Sequence, residues 1–230
     1  MGLGLIMWRS SIILICAVLF TSPLHAQREL ESVSVARQFV LPVFTHTQRA
    51  GKSTLTGTAS AVVISPGVLL TAGHVVTTGD IIVIKRNQRI NVRVYRIDKE
   101  LDLALLIGQV DCPCVKISDR DPHKDEDAIG VSFPLPLLYD TQILSRGHVQ
   151  GINSNNLLIT TTHAAPGGSG GGVFARRGNT FVLIGLITAI GSVNIGPPLL
   201  NVQQQLTQIT FSVPASVIKT FVDNLPLDIK

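Results

Sequence analysis

From residue 58 onward the chain alternates short apolar, β-branched runs with clusters of Gly, Pro, Asn and Asp, and only its last stretch has helical spacing. The pattern predicts strands over 58–64, 68–70, 81–85, 90–95, 103–107, 128–132, 142–150, 157–161, 172–174, 181–189 and 207–211. The class is therefore mostly β. Antiparallel closure, in a sandwich or in barrels, is how chains of many short strands avoid exposed edges. Near the end Pro214 can take a first helical position after Ser212, and Val217, Ile218, Phe221, Val222 and Leu225 make an apolar stripe. A closing helix packed on the strands follows.

The first 26 residues break this pattern. Arg9 is their only Lys, Arg, Asp or Glu, and the apolar run from Ile12 to Phe20 is shorter than the roughly 20 residues of a membrane-spanning helix. They predict an export signal over 1–26, cut after Ala26, with a globular body over 27–230. Leu24 is larger than the small residue usual in Leu24-His25-Ala26, so the alternative is a signal anchor left uncleaved. Only in that form is a membrane partner expected. Either way the body leaves the cytoplasm, for the periplasm or the medium.

Composition is globular, with 45% apolar and 15% charged residues in 230. A body of roughly 200 residues hides about 70% of its unfolded surface and sustains a core without staples. The formal net charge is +4, and setting Arg9 aside lowers it by one, too little to argue for nucleic acid. Part of the charge lies in 81–85, 86–89 and 90–94, which reads as a hairpin whose cationic residues, Lys85 among them, protect an edge from the solvent side. Beyond the leader the thiols are Cys112 and Cys114. A bridge between positions i and i+2 is strained and easily reduced, while a metal would need two more ligands that no nearby spacing supplies. Two loop thiols or such a bridge are the expected states. Neither a metal nor an organic cofactor is expected.

Candidate chemistry begins at His74, which ends the buried-looking segment Leu70-Thr71-Ala72-Gly73. An imidazole beside apolar residues is ambiguous until it has partners. Asp102 lies 28 residues on, where the polar turn Asp98-Lys99-Glu100 gives way to an apolar strand, so its carboxylate can be held at a sheet edge and orient a histidine. Asp98 and Glu100 sit in the turn itself and read as solvated turn acids. Ser169 stands inside Pro166-Gly167-Gly168-Ser169-Gly170-Gly171. A nucleophilic serine needs a tight turn whose backbone N–H groups converge on the attacked carbonyl, and glycines allow that geometry. A flexible linker is the competing reading, but linkers do not run straight into Val173-Phe174 and a second apolar run.

The order His74, Asp102, Ser169, with the segments Gly57 to Val76, Asp102-Leu103-Ala104 and Pro166 to Gly171, resembles the trypsin-like serine peptidases, specifically the exported high-temperature-requirement (HtrA) type. Ile184 to Ala189 and Phe211-Ser212-Val213-Pro214 are consistent with it, and the resemblance extends over 57–225. It implies two six-stranded antiparallel β-barrels with a C-terminal helix, the barrels exchanging near 120–140, and a site in the cleft between them. It also implies an acyl-enzyme reaction: His74 as base, Asp102 as its orienting partner, Ser169 as nucleophile, and the N–H groups of Gly167 and Ser169 as the oxyanion hole. His163, Ile187, Thr188 and Ala189 fall where the first specificity pocket is lined, and a small or medium apolar side chain at the cleaved position is expected.

Two departures matter. Gly168 stands where digestive members carry an Asp that binds a freed N-terminus, so activation by that route has no anchor. The chain ends soon after Leu225, without the peptide-binding PDZ domain of many HtrA proteins. The reading is an exported serine endopeptidase acting on polypeptides, in an oligomeric state that the residues do not indicate. The alternative is a silent peptidase-like module that binds peptides or partner proteins.

Overall fold

A computed structural model describes residues 34–49, 52–76, 80–134, 141–194 and 203–224. Its first barrel comprises β1 (Val40–Arg49), β2 (Lys52–Ser65), β3 (Val68–Ala72), β4 (Asp80–Lys85), β5 (Gln88–Asp98) and β6 (Leu103–Gly108), closed in the order β1-β2-β3-β6-β5-β4. A two-residue strand, β7 (Lys116–Ile117), follows in the connection. The second barrel comprises β8 (Asp127–Ser132), β9 (Ile143–Ile152), β10 (Leu158–Thr160), β11 (Gly172–Arg177), β12 (Thr180–Asn194) and β13 (Gln203–Pro214). Its order is β11-β8-β9-β10-β13-β12, the β11–β12 ladder closes it, and β7 adds to β12 in parallel. The fold class expected from the resemblance is the one observed. Both barrels belong to one unit, Ala36–Lys230, and the chain passes between them over 109–126.

Side-chain alternation along the strands divides the buried residues into three layers. Ala59, Ala61 and Val63 of β2 point into the first barrel with Val43, Leu69, Val83 and Leu106. Ala128, Val149, Leu158, Val173, Ile184 and Ile187 fill the second. The third layer lies between the barrels, where Phe39, Val62, Leu70, Leu103 and Leu105 meet Val131, Phe174, Leu183, Leu186 and Val213. Strands β3, β6 and β12 are thus covered on both faces, which is why their sequences are almost continuously apolar. In β12 a bulge opposite Val173/Phe174 lets Leu183 and Leu186 face one layer while Ile184 and Ile187 face the other.

Strand β1 was not among the expected strands, and it carries Pro42, a residue that an interior strand tolerates only where no ladder bond is needed. Its register partner Ser60 turns both backbone groups away from β1, so Pro42 sits in a non-hydrogen-bonded pair, and the pairing of β1 with β4 begins only at Val43. No ladder bond is lost. The expected hairpin forms between β4 and β5 across Arg86 (φ 49°) and Asn87 (φ 64°), a turn with both central residues left-handed. Lys85 departs from expectation. It is buried, and its Nζ donates to Asp111 Oδ1 at 2.6 Å and to the Cys112 carbonyl at 3.4 Å, pinning the connection to the barrel instead of facing solvent. Cys112 and Cys114 are joined in a disulfide.

Helix α1 (Ala215–Asp223) closes the described chain with Ile218 and Phe221 in the central layer. Pro214 is its N-cap and not its first residue, and the Ser216 N–H is satisfied by Asp121 Oδ1 at 3.0 Å. Leu225, the last residue of the expected stripe, and the leader 1–26 lie outside the described residues. Among those residues no helix is long and apolar enough to cross a membrane, and no group of three or more His, Cys, Asp or Glu is placed to hold a metal.

Candidate active site

Strand β3, buried throughout, ends in a 3-10 turn, Gly73–Val75, that carries His74. The start of β6 comes back alongside. Gly73 N–H donates to the Asp102 carbonyl at 3.0 Å, and His74 N–H donates to Asp102 Oδ1 at 2.8 Å. The ring follows the backbone, with His74 Nδ1 2.9 Å from Oδ2 and 3.0 Å from Oδ1. A carboxylate only accepts, so Nδ1 carries the proton and Nε2 is left with a lone pair when the ring is neutral. Asp102 adopts φ 53°, a left-handed conformation held by these three residues' mutual bonds. The hydrogen bond that His74 Nδ1 donates to Asp102 is the largest influence on the ring and raises its pKa above the ordinary value, against partial burial and with help from the carboxylate's charge. Asp98 accepts instead from the N–H groups of Glu100 and Leu101, both at 3.0 Å, and so closes the turn ahead of Asp102.

The serine segment is two consecutive β-turns. Gly168 N–H bonds Ala165 O at 2.8 Å across Pro166 and Gly167, and Gly171 N–H bonds Gly168 O at 3.0 Å across Ser169 and Gly170. Each third position has positive φ, 89° at Gly167 and 80° at Gly170, the requirement of a type II turn and the reason glycine stands there. The Gly170 N–H is taken by Ile187 O at 2.7 Å. Among the described residues the N–H groups of Gly167 and Ser169 have no backbone acceptor. The Ser169 hydroxyl rests on Thr188 O at 3.4 Å. Gly170 is wedged against the strand end that carries His74: a Cβ there would lie 2.3 Å from Thr71 Oγ1 and 3.1 Å from Ala72 N.

Beside Ser169 opens a cleft of about 290 Å³ whose lining includes Ala165, Pro166, Ile187, Thr188 and Ala189, with Ser192 and Gln205 farther along β12 and β13. Among the described residues no charged side chain lines it. His163 is exposed and outside this lining; its N–H donates to Ser145 Oγ at 2.8 Å and its carbonyl accepts from that hydroxyl at 3.1 Å. The structure therefore gathers three of the four expected pocket residues and leaves His163 aside. Gln205, Ser192, Ser60 and Thr71 were not expected at the site. The first two arrive through the β12–β13 register, which pairs Ser192 with Gln205. Thr71 could have been found from its place three residues before His74. Ser60 carries no comparable signal, because its contacts depend on how the barrels dock.

The structure thus has two barrels, an imidazole–carboxylate pair just past the end of β3, and a Gly-framed serine whose turn is seated against that strand end, and the sequence says which family has this architecture. The profile of the trypsin-like peptidase domain matches residues 59–186, more than half of the chain, and the chain belongs to that family. Among solved structures, the crystal structure of the serine endoprotease from Yersinia pestis is similar, with a TM-score of 0.66 and 23% identity over 84% of this chain and 64% of that one. At that identity the likeness is one of fold, and the chain spans somewhat less than two thirds of that neighbour's length. Comparison with curated protein sequences gave no match.

Proposed function

We propose that the protein is an exported serine endopeptidase in which Ser169, His74 and Asp102 carry out acyl transfer. The observation that supports this best is the grip of Asp102 on both the backbone and the ring of His74, which leaves Nε2 as the free base of the neutral ring. Rotation of the Ser169 hydroxyl away from Thr188 O frees it to give its proton to Nε2 as it attacks the scissile carbonyl. Asp102 keeps the tautomer and stabilises the cation that forms. The unspent N–H groups of Gly167 and Ser169 take the developing oxyanion, and His74 returns the proton to the leaving amine. A water then releases the acyl group by the same steps. The uncharged cleft fits a small or medium uncharged side chain at the cleaved position, and the substrates are polypeptides outside the cytoplasm.

A binding module that has lost catalysis is the second reading, and the resting bond from Ser169 to Thr188 O is what favours it. Labelling with a fluorophosphonate separates the two. The peptidase labels at Ser169, and Ser169→Ala abolishes both labelling and peptide cleavage while the thermal midpoint stays unchanged. Wild-type protein that is folded yet neither labels nor cleaves would establish the binding module.

A further inference from the structure

We propose that Ser60 is a positioning residue that holds the nucleophile turn in register from the opposite barrel. The inference rests on the peptidase reading and adds to it a residue outside the triad and the oxyanion hole.

The β2–β3 ladder stops at Val62↔Leu70, so beyond it the two strands fork. Ser60, next but one to Val62, thus presents a backbone N–H and C=O that no strand takes up. Both are buried, and buried backbone groups without partners are costly. The nucleophile turn fills the fork. Ser60 N–H donates to the carbonyl of Ser169 itself at 2.8 Å, and Thr71 Oγ1 donates to Ser60 O at 2.7 Å. A Cβ on Gly170 would lie 2.1 Å from Ser60 O, so the turn is seated against this residue without space to spare.

The side chain completes the arrangement. Ser60 Oγ accepts the N–H of Phe133 at 2.8 Å, and Phe133 belongs to the second barrel just past β8. One buried residue of the first barrel therefore holds the serine's own carbonyl, the strand that leads to His74 and the backbone beside the Gly-rich turn. Alanine at 60 keeps the backbone bonds but takes the acceptor from the part-buried Phe133 N–H, which favours displacement of that backbone relative to β2. A shift of a few tenths of an ångström in a nucleophile matters more to the transition state than to substrate binding.

The test is steady-state peptide cleavage together with the rate of fluorophosphonate labelling, on wild type, Ser60→Ala, Ser60→Cys and Ser60→Thr. The expected result is a loss of about tenfold in kcat and in labelling rate for Ser60→Ala, with KM within twofold and the thermal midpoint nearly unchanged. Ser60→Cys, close in size but a weak acceptor, loses a similar factor, and Ser60→Thr, which keeps the hydroxyl, recovers most of the rate. If Ser60→Ala does not fold, the contrast between Cys and Thr carries the same information. A folded Ser60→Ala with wild-type kcat, a loss confined to KM, or full activity in Ser60→Cys overturns the proposal while leaving the peptidase intact. Wild-type protein that does not label overturns the peptidase reading, and this inference with it.

Discussion

At His74 the carboxylate of Asp102 acts twice, orienting the ring through Nδ1 and biasing its charge, and the two effects oppose each other in pH. A raised pKa means that the folded state favours the cation. The pair's contribution to stability is complete below the ordinary histidine value of about 6.5 and is lost as pH rises through the higher folded value. In the proposed mechanism the neutral ring is the base, so activity is expected to rise over the window in which this stabilisation fades. The kcat/KM profile is expected to have its acid limb centred above pH 6.5. Asp102→Asn is expected to move that limb down and to lower kcat by about 10⁴-fold, since the amide permits the wrong tautomer. A limb unmoved by the substitution would remove His74 from the role of base. At this scale the sequence was informative where chemistry is concentrated in a few side chains. The meeting of His74 and Asp102 could be read from the change of a polar turn into an apolar strand. The position of His163 could not, because Ser145 on a neighbouring strand binds its backbone and its ring lies outside the cleft.

Among the elements, α1 depends on a contact that no local pattern announces. Arg96 of β5 places its guanidinium 4.7 Å from the centre of the Phe221 ring and donates from Nη1 to the carbonyls of Phe221 at 3.2 Å and Asn224 at 3.4 Å. A cation over an aromatic face that also satisfies helix-terminal carbonyls joins the end of the helix to the first barrel. Arg96→Ala is expected to cost about 2 kcal/mol, read as a lower urea midpoint, and Arg96→Lys to recover only part because it lacks the planar fork. Most strands were legible from alternation and punctuation. Strand β1 was not expected, and its Pro42 is acceptable there because Ser60 turns its hydrogen-bonding groups the other way. Strand β7 was hidden by length, since two residues carry no period and their pairing comes from β12. The start of α1 shifted by one residue because Asp121, far away in sequence, supplies the cap.

For the whole molecule, the layer between the barrels links stability to geometry at the cleft. Phe174 is fully buried there, its ring 5.9 Å from that of Phe39, and β11 follows the Gly-rich turn directly. Phe174→Ala is expected to destabilise by about 3–5 kcal/mol, with the urea m-value unchanged if unfolding stays two-state. That the chain forms two barrels was implied by resemblance, whereas alternation alone left a sandwich equally open. How the barrels dock was not readable, because β3, β6 and β12 are apolar on both faces and a continuous run does not say which residue faces which layer. The placement of Phe221 also bears on the order of folding. Strands β1 to β6 are contiguous in sequence, so the first barrel can close before the rest of the chain has folded. Yet Val62, Leu70 and Leu105 stay bare on its outer side until partners from much later in the chain arrive, Ile218 and Phe221 among the last. During that interval the half-folded chain displays a greasy wall, and its tendency to clump is greatest then.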